Sequence, residues 1–270
     1  MIDDPKYHAL KNLLLSLQNV AVAFSGGLDS TFLLTVAGKI LGDHTIAFTM
    51  NTPYIPDWEV REAADICRHL NMKHIVLESG IPETILNNPD DRCYLCKKII
   101  FGKFKEEAEK LGNYVVVDGT NLDDLGDFRP GIKALKELNI VSPLKVCNYT
   151  KKDIRKQARI IGIRNWNKPA YACLLTRIPH DTRITKQVLD RIEQAELFLH
   201  TLGYKESRVR IHNSGARIET IPACIPEIVA EENRQQIIDK FHNLGFTFIS
   251  LDMEGYRMGS MNTKKFEDES

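Results

Sequence analysis

The chain has 270 residues, a length that predicts about two domains of ordinary size. Its 43% hydrophobic and 27% charged residues are typical of a soluble globular protein, and its 36 basic and 36 acidic residues cancel, which excludes a global attraction to nucleic acid. No apolar stretch approaches the ~20 residues of a membrane span, and Met1–Lys6 lacks the basic and apolar regions of a leader peptide. We therefore expect a cytoplasmic protein, whose six cysteines are core thiols or ligands rather than disulfides.

The first half of the chain alternates short apolar runs with helical segments, which predicts a doubly wound parallel α/β sheet. The predicted strands are Val20–Phe24, Thr45–Met50, Lys73–Glu78 and Tyr114–Asp118. The predicted helices are Leu28–Leu41, Asp57–Leu70, Cys96–Leu111, Pro130–Leu138 and Lys151–Ile161. Because such sheets bind ligands at the carboxyl ends of their strands, the loops that follow the strands form the candidate site.

The second half of the chain predicts a smaller α+β domain, which an aperiodic segment with two prolines, residues 163–184, separates from the first. The predicted division is a first domain at 1–165, a linker at 166–184 that carries Cys173 and Arg177, an α+β domain at 185–262 and a flexible tail at 263–270. The predicted elements of the second domain are helix Thr185–Leu202, strands Arg208–His212 and Ala216–Ile221, helix Ile225–Leu244 and strand Phe246–Asp252.

A glycine loop, Ser25-Gly26-Gly27-Leu28-Asp29-Ser30, joins the first predicted strand to the first predicted helix. Two glycines let backbone N–H groups approach a ligand, and the start of a helix favours an anion, so the loop predicts a phosphate site. The loop lacks the lysine of a Walker motif and carries Asp29 instead, which suits a magnesium ion that bridges phosphates. The alternative is an ordinary turn in which Asp29 and Ser30 cap the helix.

Three cysteines are candidate ligands. Cys93 and Cys96 form a C-x-x-C at a loop-to-helix junction, where two thiolates can converge on one metal or cluster or form a redox pair. Cys173 lies in the aperiodic segment between Lys168 and Arg177, and nearby cations lower the pKa of a thiol. A conventional zinc site lacks its second ligand pair, and two half-buried thiols at a helix start remain the alternative.

Two further segments carry charged residues of interest. The loop Gly119–Gly131 follows the fourth predicted strand and brings acids, among them Asp124, and Arg129 to the edge where the glycine loop lies. Such acids can bind magnesium, and an arginine can bind phosphate, although Asp and Gly are also common loop residues. Arg208 and Arg210 alternate along one strand face, which suits an anionic substrate if that face is not simply exposed.

The glycine loop resembles the S-G-G-x-D-S motif of the PP-loop ATP pyrophosphatase superfamily, and the match is complete from Ser25 to Ser30. The resemblance implies the doubly wound fold of adenine nucleotide alpha hydrolases. It also implies a reaction in which ATP is cleaved between its α and β phosphates and AMP is placed on a substrate oxygen. A nitrogen or sulfur nucleophile then displaces that oxygen.

Five segments together resemble the LarE family of ATP-dependent sulfur transferases, which serve the biosynthesis of the nickel-pincer nucleotide. They are Ser25–Ser30, Asp91–Lys97, Gly119–Gly131, Cys173–Pro179 and Arg208–Arg210, and the region from the first strand to about residue 220 carries them. In that family a carboxylate of a pyridine mononucleotide is adenylated and converted to a thiocarboxylate. The acceptor implied for this chain is therefore a small pyridine nucleotide, and the sulfur donor is unknown. We expect no membrane or nucleic-acid partner and a homo-oligomeric state.

The family uses two chemistries, and the cysteines decide between them. In one, the cysteine that matches Cys173 gives up its own sulfur. In the other, it joins a C-x-x-C to hold a [4Fe-4S] cluster whose open iron carries sulfide. Because this chain has Cys93, Cys96 and Cys173, the resemblance implies the cluster version.

The resemblance also assigns roles to individual residues. The implied catalytic residues are Asp29, Cys173 and Arg177, and the implied ATP-binding residues are Ser25, Gly26, Gly27, Asp29, Ser30, Gly119 and Arg129. The implied Mg²⁺ ligands are Asp29 and Asp124, and the implied acceptor-binding residues are Thr176, Arg177, Arg208 and Arg210. Thr176 stands where the family has serine, and a hydroxyl is kept. The alternatives are a cluster-dependent tRNA thiolase, an amide-forming ligase that resembles NAD synthetase, and a non-enzymatic nucleotide sensor.

Overall fold

The computed structural model describes residues 4–126, 130–168 and 171–257, which form two compact units. The first unit comprises the described residues up to Ile85 and those of Asp90–Tyr171. The second comprises Leu86–Pro89 and the described residues from Ala172 onward. The predicted linker is thus divided between the two units at Tyr171 and Ala172, and its role as a linker stays a prediction. The predicted tail lies outside the described residues.

The first unit is built on a four-stranded parallel sheet. Its strands are β1 (Val20–Ala23), β2 (Thr45–Asn51), β3 (Lys73–Glu78) and β4 (Val115–Val117). They lie in the order β3-β2-β1-β4, and Val22 of β1 pairs with Ala47 of β2 and with Val117 of β4. The order places β1 centrally, and the predicted α/β class with a parallel sheet is confirmed.

Helices cover both faces of this sheet. Those of the first unit are α1 (Pro5–Leu17), α2 (Leu28–Leu41), α3 (Asp57–His69), α4 (Arg92–Lys110), α5 (Pro130–Glu137), α6 (Pro143–Val146) and α7 (Lys151–Ile160). Val20 and Val22 pack in one core with α1, α2, α3 and α7, whereas Ala21 packs in a second core with Phe101 and Phe104 of α4. Successive residues of a strand face opposite sides, so this division makes the sheet doubly wound.

Helix α1 was not predicted, although its start carries a recognisable signal. The side chain of Asp4 accepts a hydrogen bond from the Lys6 N–H at 2.8 Å, and Pro5 is the first helical residue. Both are favoured at these positions, because Asp satisfies a free N–H and proline has none to satisfy. Leu10 and Leu14 are buried on the inner face of the helix, which explains its place in the core.

The described part of the second unit contains a three-stranded sheet and three α-helices. Its elements are α8 (Lys186–Thr201), β5 (Arg208–His212), β6 (Gly215–Glu219), α9 (Ile225–Val229), α10 (Glu231–Asn243) and β7 (Ile249–Leu251). Strand β6 pairs antiparallel with β5 and parallel with β7. The predicted helix Ile225–Leu244 is two helices, because Ala230 between them has the extended angles φ −56° and ψ 142°.

No helix among the described residues combines the length and the apolar character that a membrane crossing requires.

Candidate functional site

The glycine loop, Ser25–Ser30, is folded into a compact turn between β1 and α2. Gly26 has φ +68°, a left-handed conformation that favours glycine. The Ser30 hydroxyl donates to the Gly27 carbonyl at 3.1 Å and lies 3.3 Å from the Ser25 hydroxyl, and Thr31 Oγ1 donates to the same carbonyl at 2.8 Å. These bonds hold the start of α2, where exposed amides and the helix dipole favour an anion.

Gly119 brings the end of β4 against this loop. A Cβ atom at this position would lie 3.0 Å from the Ser30 backbone nitrogen, so a larger residue would push the two segments apart by a few tenths of an ångström. The predicted neighbour Arg129 lies outside the described residues, and its role in ATP binding stays a prediction.

Asp29 is the half-buried carboxylate of the loop. Its Oδ2 accepts a hydrogen bond from Asn121 Nδ2 at 3.2 Å and lies 3.9 Å from Lys151 Nζ. Its Oδ1 is buried and accepts no hydrogen bond within the part of the chain that the structure describes. The pKa of Asp29 is raised, mainly because burial disfavours its charged form. The positive charge of Lys151 lowers this pKa, and the negative charge of Asp124 raises it. A carboxylate oxygen buried without a donor is suited to a cation.

Asn121 also links Asp124, the second predicted Mg²⁺ ligand, to Asp29. Its backbone N–H donates to Asp124 Oδ2 at 3.1 Å, while its side chain contacts Asp29. One asparagine therefore holds two carboxylates in neighbouring positions. The sequence carries no signal that distinguishes Asn121 from the other polar residues of the loop Gly119–Gly131.

Two residues beyond α7 reach the glycine loop and were also missed. Asn165 Nδ2 donates to the Gly26 carbonyl at 3.1 Å, and Lys168 Nζ lies 3.4 Å from the same oxygen. Lys168 also forms a 2.6 Å ion pair with Glu62 and lies over the ring of Trp58 at 5.7 Å. The glycine loop has no lysine of its own, but Lys168, which lies about 140 residues later in the chain, places a cation beside it.

Cys93 and Cys96 lie in the first turns of α4, which begins at Arg92 rather than at the predicted Cys96. The two thiols are free, with Cys93 exposed and Cys96 half-buried. The Tyr54 hydroxyl lies 3.2 Å from Cys96 Sγ, and burial raises the pKa of the Cys96 thiol. No group of three or more His, Cys, Asp or Glu side chains is arranged to hold a metal within the described ranges, so the three-cysteine cluster stays a prediction.

The other cysteines pack as ordinary core residues. Cys67 and Cys147 are buried in the core of the first unit, where burial raises the pKa of Cys67 to about 12. Cys224 is half-buried and packs against the core of the second unit.

Cys173 opens a short 3-10 turn in the second unit, and Cys173–Arg177 is called the cysteine turn below. Arg177 is 2% exposed and forms a bidentate pair with Glu196, at 2.8 Å from Nε to Oε1 and 3.0 Å from Nη2 to Oε2. Its Nη1 donates to the carbonyls of Ala172 and Cys173 at 2.8 and 3.2 Å. The guanidinium therefore holds the backbone around Cys173, which favours a structural role over direct contact with an acceptor.

The two arginines of β5 are also buried. Arg210 Nε donates to Glu219 Oε1 at 2.5 Å, and its Nη1 donates to the Thr176 carbonyl at 2.5 Å. Arg208 Nη1 donates to the Ser207 carbonyl at 2.8 Å, and its guanidinium lies 5.1 Å from the ring centre of Tyr256. The alternative of a simply exposed arginine face is wrong, because Arg208 and Arg210 are only 3% and 6% exposed. Their contact with an acceptor stays a prediction.

Comparison with known proteins identifies the family of the chain. Residues 3–90, which include the glycine loop, match the asparagine synthase family. Over 92% of its length the chain is 35% identical to the pyridinium-3,5-bisthiocarboxylic acid mononucleotide synthase of Lactiplantibacillus plantarum, of which it covers 91%.

Two further relatives have similar identity and coverage. An uncharacterized protein of Synechocystis is 34% identical over 96% of this chain and 97% of its own length. An uncharacterized protein of Methanocaldococcus jannaschii is 36% identical over 89% of this chain and 91% of its own length. Since the named synthase is matched across both units, the chain belongs to the LarE family of PP-loop proteins.

Proposed function

We propose that this protein is an ATP-dependent sulfurtransferase that converts a carboxylate of a pyridinium mononucleotide into a thiocarboxylate. The observation that carries the proposal is the extended match to a synthase of the bisthiocarboxylic mononucleotide, together with the intact glycine loop. ATP drives the reaction because a carboxylate oxygen is a poor leaving group until it carries AMP.

The first step is adenylation. A carboxylate oxygen of the acceptor attacks the α-phosphorus of ATP, a P–O bond forms, and the bond to the β-phosphate oxygen breaks, so that pyrophosphate leaves. The glycine loop supports this step because its helix start favours the departing anion. Ser25, Gly26, Gly27, Ser30 and Gly119 form the proposed phosphate cradle, with Arg129 as a further proposed ligand.

Asp29 and Asp124 are the proposed ligands of Mg²⁺. The residues fit this ion, because Mg²⁺ is usually held by one or two carboxylates and the substrate phosphates, and Asp29 Oδ1 is buried without a hydrogen-bond donor among the described residues. When bound, the ion would neutralise charge on the phosphates. Asn121 keeps the two carboxylates in place for it.

The second step forms the carbon–sulfur bond. Hydrosulfide attacks the acyl carbon of the adenylate, the C–O bond to AMP breaks, AMP leaves with the electron pair, and a proton passes to solvent. A [4Fe-4S] cluster on Cys93, Cys96 and Cys173 would supply an iron without a protein ligand, at which sulfide can bind. The chemistry of the donors suits such a cluster, because cysteine thiolates are its usual ligands and Cys93 and Cys96 are about one helical turn apart, while Cys173 is not part of a disulfide.

The acceptor is a multiply charged anion, and Arg208 and Arg210 are its proposed partners with Thr176. Arg210 supports this assignment because it contacts the Thr176 carbonyl and so lies beside the cysteine turn. Arg177 is better assigned to positioning that turn through Glu196. We further propose a cytoplasmic location, since ATP and reduced thiols are cytoplasmic. The homo-oligomeric state stays a prediction.

Replacing Lys168 by methionine should slow adenylation by roughly 10²-fold, because the glycine loop has no lysine and Lys168 is the cation beside Gly26. The measurement is pyrophosphate release at saturating acceptor over a range of ATP concentrations. Lys39→Met, on the exposed side of α2, is the matched control and should keep the wild-type rate. Equal rates for the two variants would contradict the role of Lys168.

Replacing Arg208 by alanine should raise the KM for the acceptor by roughly 10-fold or more, because one charge-assisted contact is lost. The KM for ATP and the iron content should stay unchanged. Arg183→Ala, an exposed arginine of the same unit, is the control. If the variant keeps its fold and its KM for the acceptor does not change, the assignment of Arg208 to the acceptor site is wrong.

The proposal as a whole is tested by following the carboxylate oxygen. An acceptor whose carboxylates carry a heavy oxygen isotope is incubated with ATP and sulfide, and the AMP is analysed by mass spectrometry. Adenylation followed by attack at carbon delivers one labelled oxygen to AMP for each thiocarboxylate. Unlabelled AMP alongside thiocarboxylate would contradict the acyl-adenylate route.

A further inference from the structure

The start of helix α7 brings a lysine close to Asp29. Lys151 is the first residue of α7, and its Nζ lies 3.9 Å from Asp29 Oδ2. The two opposite charges are therefore close together, although the distance exceeds the length of a hydrogen bond. Within the part of the chain that the structure describes, the Lys151 ammonium makes no hydrogen bond. Its three N–H donors are thus available to a ligand at the glycine loop.

The backbone of Lys151 is held firmly in this place. Its N–H donates to Asp123 Oδ2 at 2.7 Å, which joins the start of α7 to the loop that follows β4. The Thr150 hydroxyl accepts from the Asp153 N–H at 3.2 Å, and Asp153 Oδ2 accepts from the Thr150 N–H at 3.0 Å, so the helix start is capped. Asp153 also forms a 2.6 Å ion pair with Lys6 of α1. The side chain of Lys151 therefore begins at a fixed point of the first unit.

The loop that holds Lys151 also holds the carboxylates that are proposed to bind Mg²⁺. The Asp123 N–H donates to Asn121 Oδ1 at 2.9 Å, and Asn121 Nδ2 donates to Asp29 Oδ2 at 3.2 Å. The Asn121 N–H donates to Asp124 Oδ2 at 3.1 Å. A short series of hydrogen bonds thus connects the start of α7 with Asp29, and all of its members belong to the first unit.

The side chain of Lys151, unlike its backbone, has room to move. It is 34% exposed, and its ion pair with Asp29 is long. Such a pair at a partly exposed position contributes little to stability. Lysine has a flexible four-carbon stem and a compact charge, which suit contact with phosphate oxygens. The ammonium can therefore turn from Asp29 towards a bound anion with little loss of stability.

The charges of the proposed ATP site call for further cations. ATP carries most of its negative charge on its two outer phosphates, and Asp29 and Asp124 add two carboxylates. One Mg²⁺ leaves this negative charge in excess. The glycine loop has no lysine of its own, but Lys168 lies near its beginning, at Gly26, and Lys151 lies near its end, at Asp29. Two lysines that are distant from the loop in sequence thus flank it.

We propose that Lys151 binds the two outer phosphates of ATP and, after cleavage, the pyrophosphate that they form. This inference rests on the proposed function, since it assumes that ATP is cleaved at the glycine loop. The ammonium donates N–H hydrogen bonds to phosphate oxygens and transfers no proton, so the bonds that form and break are those of the adenylation step. Its charge stabilises the electron pair that the pyrophosphate oxygen keeps when its bond to the α-phosphorus breaks.

The test measures binding without turnover. The ligands are AMP and the Mg²⁺ complex of α,β-methylene-ATP, in which carbon replaces the bridging oxygen at the cleaved bond, and affinity is measured by titration calorimetry. We expect Lys151→Met to weaken binding of the analogue by roughly 10-fold or more, because one charge-assisted hydrogen bond is lost. Affinity for AMP should stay at the wild-type value, because AMP lacks the outer phosphates. Lys151→Arg keeps the charge and should restore most of the affinity.

Lys152→Met is the matched control, because it removes the same charge from the next residue of α7, which is exposed. It should bind both nucleotides as the wild-type protein does. The melting temperature of Lys151→Met should match that of the wild-type protein, since the bonds that fix the start of α7 use the Lys151 backbone and the side chains of Thr150 and Asp153. Pyrophosphate release by Lys151→Met should fall at least as much as the affinity for the analogue.

The possible failures are distinguishable. If the wild-type protein binds the analogue no more tightly than AMP, the role of Lys151 fails, and absence of pyrophosphate release from ATP would refute the proposed function as well. If the wild-type protein prefers the analogue and Lys151→Met binds it equally well, only the role of Lys151 fails. Tighter binding by Lys151→Met would mean that Lys151 competes with Mg²⁺ for Asp29, and an equal loss of affinity for both nucleotides would mean a general distortion of the site. Either result would overturn the inference.

Discussion

Asp29→Asn should reduce pyrophosphate release by at least roughly 10²–10³-fold, the loss that follows when a preorganised charge-stabilising group is removed. The substitution keeps the size of the side chain and its neighbour Asn121, but it removes the negative charge that is proposed to hold Mg²⁺ on the phosphates. The measurement is the initial rate of pyrophosphate release with ATP, Mg²⁺ and acceptor at saturation.

The control for this prediction is Asp43→Asn, an exposed aspartate in the turn after α2, which should keep the wild-type rate. Circular dichroism and the melting temperature establish that both variants fold. Undiminished pyrophosphate release in folded Asp29→Asn protein would refute the assignment of the glycine loop as the site of ATP cleavage.

Cys173→Ala should abolish sulfur transfer over many turnovers while adenylation continues. The thiol is lost from the cysteine turn, but the hydrogen bonds that hold the turn use backbone carbonyls and the side chains of Arg177 and Glu196, which remain. The measurements are pyrophosphate release and thiocarboxylate formation in the same reaction. We expect the first to stay near the wild-type rate and the second to fall to background.

Cys224→Ala is the matched control, because Cys224 is another half-buried thiol of the second unit and is not a proposed ligand. It should transfer sulfur normally. Repeated turnovers of thiocarboxylate formation by Cys173→Ala would rule out both the cluster and the chemistry in which the cysteine gives up its own sulfur.

The sequence allowed the core of the first unit to be predicted because its signals are local. A buried run of Val and Ala followed by two glycines and a periodic helix predicts β1, the glycine loop and α2, and the structure has them at Val20–Ala23 and Leu28–Leu41. Helix α1 was missed although its capping residues Asp4 and Pro5 were visible. Helix α4 begins earlier than predicted, at Arg92; Asp91 before it is a residue type favoured at helix starts, although its side chain makes no capping hydrogen bond.

The surroundings of the arginines could not be predicted, because their partners are distant in sequence. Alternation on a strand indicates that Arg208 and Arg210 share a face, but it does not reveal that Glu219, which is paired with Arg208 on the neighbouring strand β6, accepts a hydrogen bond from Arg210. Arg177 was expected at the acceptor, and its bidentate pair with Glu196 depends on how α8 packs. Only the folded chain brings these buried charges together.

The same reasoning explains why the place of Lys168 could not be predicted. It lies in a segment without periodicity, and it contacts a backbone carbonyl, which has no sequence signature. The sequence indicates only a charge near Cys173, whereas the structure shows Lys168 at Gly26 and Glu62 of the first unit.

The central claim is that ATP cleavage drives sulfur transfer to a carboxylated pyridinium mononucleotide. The most direct measurement is the stoichiometry of products when the anaerobically purified protein is given ATP, Mg²⁺, sulfide and this acceptor, with a parallel reaction that contains bulk tRNA instead. We predict one pyrophosphate and one AMP for each thiocarboxylate formed, and no thiolated nucleoside from the tRNA. Thiolated tRNA without modification of the pyridinium mononucleotide, or thiocarboxylate formed without pyrophosphate, would contradict the account.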